Sequence, residues 1–362
     1  MIKKLKYIFL IVLLAFNASS TNAQKKLRVI VAGLSHDHVH GILNQFNKNL
    51  VTIVGIIESD RSLQTKYSKL YNLPDSLFSI DLRQAILLKK PDAVLAYNPV
   101  GLHLSIVQIC APLQISVMVE KPLAATLVQA KEIQTLANKY KIRILTNFET
   151  TWYSSYENIY NTIQKDSIGI IKKMVVHDGH QGPKEIGCSK EFLSWLTDPV
   201  LNGAGALNDF GCYGADLMTW LMHGAKPLSV TAITKNYKPE VYPKVDDDAT
   251  ILLEYPNAIG EIGASWNWPF SIKDLEVFGQ RGYLHGLDKE NVFSRQRENI
   301  IATFKTEPLI GPYSDPTLYL QAVLQNKISG RNDKSSLEYN MIVMEILDAA
   351  KRSAASGRKI VL

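Results

Sequence analysis

Glu120-Lys121-Pro122 closes the apolar run Ile115 to Val119. A lysine held there and partly desolvated can exchange or stabilise a proton. The proline after the pair fixes the strand exit and argues for a positioned loop, the plain alternative being a buried Glu120–Lys121 ion pair. Asp209 and Tyr213 stand four residues apart. That spacing puts both on one face of a helix start, where they can converge on one hydroxyl. A phenol is a weak base at neutral pH unless a nearby cation lowers its pKa. Other stretches suit a polyhydroxylated ligand, whose ring faces stack on aromatics and whose hydroxyls need fixed partners: Trp152 with Tyr153, His180-Gln181-x-x-Lys184, and Trp266-Asn267-Trp268. Trp266 and Trp268 would share one face of a regular strand, with core packing as the alternative for either.

The elements that must hold these side chains follow from the apolar runs. From Lys26 the pattern is strand, turn, helix, repeated: strands over 27–32, 51–57, 93–96, 115–119 and 143–146, with helices between. Continuous apolar strands separated by helices predict an α/β fold, a doubly wound parallel sheet covered on both faces, over 24–147. After about Phe148 the texture changes. Alternating strands over 168–180 and 228–284, with a helix at Ala215 to Met222, predict an α+β domain with a large, mostly antiparallel sheet over 148–362.

The first strand ends at Gly33, where a phosphate-binding turn would read Gly-x-Gly-x-x-Gly. Here Gly33-Leu34-Ser35-His36-Asp37-His38 places Ser35 and His38 at the second and third glycine positions. Serine still permits close backbone approach, whereas His38 enlarges the helix–sheet contact. The cluster His36, Asp37, His38 and His40 invites a metal reading, but neighbouring residues at a helix start point in different directions and no fourth ligand is evident, so no metal is expected. Glu58 closes the second strand, where a carboxylate accepts from ribose hydroxyls and favours NAD; Arg61 nearby keeps NADP open.

The chain opens with Lys3, Lys4 and Lys6, an apolar run Tyr7 to Phe16, and small polar residues to Ala23, the layout of a secretory signal peptide over 1–23. Periplasmic or secreted localisation is therefore expected, with no membrane insertion after cleavage. Removing three lysines takes the formal charge from +6 to about +3, too little for a nucleic-acid footprint. Cys110, Cys188 and Cys212 fit neither a disulfide framework nor a zinc cluster; we read them as buried single thiols, with one bridge as the alternative.

Asn98-Pro99-x-x-x-His103 followed by Glu120-Lys121-Pro122 resembles the glucose-fructose oxidoreductase/inositol dehydrogenase (Gfo/Idh/MocA) family. So does Gly203-Ala204-Gly205 running into Asp209-Phe210-Gly211-Cys212-Tyr213-Gly214-Ala215-Asp216, with Tyr213 where many members carry histidine. Glu276-Val277-Phe278-Gly279 extends the resemblance over nearly all of the mature chain. The resemblance implies an NAD(P)-dependent oxidoreductase in which Gly33, Leu34, Ser35, His36, Glu58, Asn98, Pro99, His103, Glu120 and Lys121 lie along the dinucleotide. Lys121 would then polarise a substrate hydroxyl beside the nicotinamide, Asp209 orient it and Tyr213 take its proton, with the lysine lowering the phenol's pKa. His180, Gln181, Lys184, Trp152, Trp266 and Trp268 are the expected substrate contacts, the substrate a carbohydrate, and the assembly a homo-oligomer. Export implies a tightly held cofactor reoxidised in place, as in paired sugar oxidation and reduction or an oxidation–elimination route to glycoside cleavage. The rival reading, motivated by Ser35 and His38, is a sugar-binding or scaffold protein that has lost the cofactor.

Overall fold

The computed structural model describes residues 26–298 and 300–362; the expected signal segment lies outside the described residues. The first layer is built on β1 (Arg28–Ala32), β2 (Thr52–Ile57), β3 (Phe78–Ser79), β4 (Ala93–Ala96), β5 (Ser116–Glu120) and β6 (Ile144–Asn147). All pair in parallel, in the order β3-β2-β1-β4-β5-β6. α1 (Val39–Asn47), α2 (Arg61–Tyr71), α3 (Leu82–Lys89), α4 (His103–Cys110) and α5 (Leu127–Tyr140) make the crossovers. Every residue of β4 and β5 is buried, as a sheet covered on both faces requires. Helix starts are set by side chains that satisfy free backbone N–H groups: Asp60 accepts from Ser62, Asp81 from Gln84 and Thr126 from Gln129.

The second region comprises α6 (Ser154–Gln164), β7 (Ile171–Gly179), α7 (Lys190–Leu196), α8 (Ala206–Asp209), α9 (Gly211–Leu221), β8 (Ser229–Lys235), β9 (Asp248–Glu254), β10 (Ile259–Ser265), β11 (Ile272–Gly279), β12 (Gly282–Gly286), β13 (Asn291–Gln296), β14 (Ile300–Lys305), α10 (Pro316–Leu324), α11 (Leu337–Ser356) and β15 (Ile360–Val361). Nine strands form one sheet, ordered β14-β13-β12-β11-β7-β10-β9-β8-β15, antiparallel except at β7–β10. Alternation along β9 buries Ala249, Ile251 and Leu253 on the face where α8 packs on β9, α9 on β7 and β10, and α11 on β8, and leaves the opposite face open.

The doubly wound sheet followed by a mostly antiparallel one is the architecture expected from the sequence. Several elements were not. α7 is seven residues long, capped by Ser189. β13 and β14 extend the sheet beyond residue 284. α10 crosses back, setting Tyr319, Leu320 and Val323 into the core of the first domain with Val29, Val31 and Leu43. Ser336 also bridges to Leu145 of β6. No helix among the described residues is long and apolar enough to cross a membrane.

Candidate active site

The segments that follow β1, β5 and β6 face the second sheet across a cavity of about 600 Å³ whose walls include His38, Lys121, Glu149, His180, Asp209, Tyr213 and Lys273. Lys121 emerges from β5 and is buried; its Nζ donates to the Asp209 backbone carbonyl at 2.9 Å and to the Asp209 carboxylate. Asp209 is presented by α8, whose start is held by Asp246: this carboxylate accepts from Gly205 N at 2.9 Å and Leu207 N at 2.7 Å. A Cβ on Gly205 would meet the Asp246 carbonyl oxygen at 1.7 Å, so only glycine allows that approach.

The electrostatics follow from this pairing. Burial opposes the charge on Lys121, but the Asp209 carboxylate outweighs it and holds the ammonium above its ordinary pKa. Burial likewise opposes ionisation of Asp209, and Lys121 with the Trp266 indole reverses it, so the carboxyl sits below its ordinary value. The alternative of a Glu120–Lys121 ion pair is not what forms. Glu120 accepts from Asn147 Nδ2 at 2.8 Å and lies 2.8 Å from His38 Nδ1.

Tyr213 projects from α9 into the cavity, its ring edge-on to Phe148 with centroids 5.5 Å apart. Lys121 Nζ lies 5.1 Å from the ring centroid and Lys273 Nζ 4.5 Å. The expected lowering of the phenol's pKa by Lys121 does not occur. Burial raises it well above the ordinary value, and Glu149 and Asp178 add to the rise, because both lysines face the ring and are already matched by carboxylates.

The expected substrate contacts divide. His180 lines the cavity, edge-on to Phe210, with burial lowering its pKa. Trp266 is 0% exposed and donates from Nε1 to Asp209 Oδ2 at 3.0 Å, so it steadies a site residue from behind. Trp268 does not share its face: β10 stops at Ser265, and the Trp268 ring packs beside His177 and Gly179. Trp152 donates to Asn147 and packs edge-on to Tyr319, away from the cavity. Gln181 reaches the Pro269 carbonyl from an exposed position, and Lys184 is exposed too; neither lines the cavity. Glu149, Lys273 and His38 are wall residues that sequence reasoning missed as substrate-facing groups, and Asp178 lies buried beneath them.

The turn expected to hold a dinucleotide is built on Gly33, whose φ of +90° and 2.8 Å approach of a would-be Cβ to Asn98 reserve the position for glycine. Glu58 accepts from Leu34 N at 3.0 Å and Asp60 N at 2.9 Å, tying the turn to the end of β2. Ser35 is half-buried; Leu34 and His36 are buried, and Pro99 leads from β4 into α4. His103 is buried with Nδ1 3.1 Å from the Leu123 carbonyl, and burial lowers its pKa to about 4. His40 turns away to Tyr71. Among the described residues, His36 Nε2, Asp37 Oδ1, Asn98 Oδ1 and His103 Nε2 are buried without a hydrogen-bond partner. Unsatisfied polar atoms along the carboxyl ends of a doubly wound sheet fit a polar ligand crossing there. The three cysteines are unpaired, Cys110 and Cys212 buried and Cys188 half-buried on the cavity wall.

Residues 27–148 match the oxidoreductase family with an NAD-binding Rossmann fold, and 156–285 match the GFO/IDH/MocA C-terminal domain. The chain is 28% identical over 210 residues to a trans-1,2-dihydrobenzene-1,2-diol dehydrogenase of Xenopus laevis, 56% of this chain and 57% of that relative. It thus spans little more than half of that relative's length. Among solved structures it resembles an aldose-aldose oxidoreductase of Caulobacter crescentus complexed with glycerol (TM-score 0.79, 18% identity, 93% of this chain and 100% of that one). It also resembles an inositol dehydrogenase homolog of Azotobacter vinelandii complexed with NAD+ (TM-score 0.81, 16% identity, 94% and 98%). With both domains matched in order and the lysine of Glu120-Lys121-Pro122 facing Asp209 and Tyr213 across the cleft, the chain belongs to the Gfo/Idh/MocA family of NAD-binding oxidoreductases.

Proposed function

We propose that the protein is an exported oxidoreductase that moves a hydride between a carbohydrate hydroxyl carbon and a nicotinamide held between turnovers. The observation that carries this is the convergence of Lys121, Asp209 and Tyr213 on one cavity at the carboxyl edge of the Rossmann sheet. Gly33, Leu34, Ser35, Glu58, Asn98 and Pro99 would hold the dinucleotide. When bound, it supplies a hydride acceptor at nicotinamide C4. Lys121, fixed in its charged form, donates to the substrate oxygen and stabilises the negative charge that grows as the O–H proton leaves. Tyr213, protonated and facing the cavity, serves as hydrogen-bond donor and proton conduit. His180 and the Glu149–Lys273 pair offer fixed partners for further hydroxyls.

Retention of the cofactor is supported by α7. Trp195 Nε1 donates to the Ser35 carbonyl at 3.1 Å, Ser189 N to Asp37 Oδ2 at 2.9 Å, and Lys66 Nζ to Glu191 at 3.2 Å. The His36 ring is packed between Phe192 and Trp195, with centroids 4.8 and 5.3 Å away. Exchange of a ligand beneath that helix requires these contacts to open. A retained cofactor suits an exported enzyme that oxidises one sugar and reduces another. Self-association through the open sheet face is favoured by exposed Ile233, Leu252, Ile259 and Phe278.

A second reading, a sugar-binding protein without cofactor, is favoured by one observation: His38 stands at the third glycine position with its ring on Glu120. Denaturing the purified exported protein and assaying released NAD or NADP separates the two. The oxidoreductase reading expects nucleotide near one per chain, or a thermal shift on adding it, and loss of turnover in Lys121→Ala. No bound nucleotide and no shift with either would overturn it.

A further inference from the structure

Beneath the cavity lies a carboxyl group with no hydrogen-bond partner among the described residues. Asp178, on the inner face of β7, is 1% exposed, and neither carboxylate oxygen has a hydrogen-bond partner among the described residues. Its cross-strand neighbours are Ala264 on β10 and Lys273 on β11. Lys273 reaches past it to Glu149, whose other oxygen accepts from Tyr153 Oη at 2.8 Å. Buried polar groups are almost always paired, so an orphan acid under a reaction cavity calls for a cause.

The cause is visible in the charges. Lys121 with Asp209 and Lys273 with Glu149 form two ion pairs, which cancel. The other titratable groups around Asp178 include Tyr153, Tyr156, Tyr213 and Cys212, all pushed above their ordinary values by burial, and His180, which burial pushes below its own, so all five are uncharged at neutral pH. Asp178 is the odd group. Protonated, it leaves the cluster neutral, and a single positive charge entering the cavity is balanced when it ionises. Burial places its pKa at about 8, despite Lys273 and Lys121, which pull the other way. None of the three groups at the cleft is suited to keep a proton taken from a hydroxyl: Lys121 and Tyr213 already carry theirs, and Asp209 is held ionised.

We propose that Asp178 is the proton store of this site, taking up the proton that leaves the substrate hydroxyl and returning it when a carbonyl is reduced. The inference rests on the oxidoreductase reading above. In the oxidation the substrate C–H bond breaks with its electron pair going to the oxidised nicotinamide, the O–H bond gives up a proton, and C=O forms. The proton ends on the Asp178 carboxylate, which becomes a carboxylic acid; Lys273, its cross-strand neighbour, and Tyr213, on the cavity wall, are the groups that stand between it and the cleft. Asp178 does not touch the substrate; it is a positioning residue for charge.

Infrared difference spectroscopy on the full chain tests this. Without nucleotide, the protonated-carboxyl C=O band of Asp178 is expected at pH 6, lost by pH 10, and absent from Asp178→Asn. An ionised Asp178 at pH 6, or the same band in Asp178→Asn, overturns the proposal. Protein loaded with NADH is expected to show the band at pH 7, and protein loaded with NAD+ to lack it. Identical bands in the two forms would overturn the proton store while leaving the oxidoreductase reading intact. Failure to bind either nucleotide overturns that reading instead, and the proton store with it. Melting curves for Asp178→Asn establish that the variant is folded, so that a missing band reports the carboxyl and not the fold.

Discussion

Trp266 Nε1 donates at 3.0 Å to the oxygen of Asp209 that Lys121 does not take, so the carboxylate is held from two sides and its geometry is fixed before substrate arrives. Trp266→Phe keeps most of the packing and removes that donor. A hydrogen bond to a charged group contributes about 1.5–3 kcal/mol, and turnover is expected to fall roughly tenfold or more with substrate KM little changed. Steady-state kinetics check it; an unchanged kcat would mean that Lys121 alone positions Asp209.

Because Lys121 and Asp209 are both buried, removing either one leaves an uncompensated charge. Lys121→Ala and Asp209→Ala are each expected to lose about 3–5 kcal/mol of stability, while Lys121→Met combined with Asp209→Leu regains most of it. Urea melts measure this, and all three variants should lack turnover. Equal melting of single and double variants would show that the pair is not the structural unit described.

Acid should loosen the nucleotide seat. Burial lowers the pKa of both His36 and His103, the latter to about 4. In the unfolded chain these imidazoles titrate near 6.5, so between that pH and the folded values the unfolded state binds more protons and stability falls as pH drops. At pH 5 the loss from His103 is about 2 kcal/mol, and His36 contributes in the same direction. His103→Asn should flatten part of the stability loss between pH 6.5 and 5, measured by denaturant titration.

Gly33→Ala forces a side chain into a left-handed turn and against Asn98 at 2.8 Å. Nucleotide binding is expected to weaken by at least tenfold, with strain of about 1–3 kcal/mol in the free protein. Isothermal titration with NAD and NADP reads both the loss and the cofactor preference.

The sequence disclosed what local physics controls. Continuous apolar runs at Val29–Ala32, Ala93–Ala96 and Val117–Val119 could only be doubly covered strands, and Lys121, Asp209 and Tyr213 carried their spacing openly. Trp266 was misleading because β10 ends one residue before it, so the alternation that would have paired it with Trp268 no longer holds. Glu149, Asp178 and Lys273 come from a 3-10 turn and two strands far apart in the chain, and only the β7–β11 register brings the last two side by side. No spacing along one segment encodes that meeting. Helix α7 was hidden for a different reason: two turns are too short for a helical period to stand out.

The return of α10 to the first core acts as a suture. Tyr319, Leu320 and Val323 fill a space that the opening half of the chain cannot close by itself, and Ser336 fastens the same stretch to the edge of β6. A fragment ending near residue 150 would hold all six strands of the Rossmann sheet yet expose that apolar seam, and the core beside the sheet is closed only once α10 has emerged. If the chain is exported unfolded as proposed above, closure of that seam, and with it the turn at Gly33, waits until translocation is nearly over.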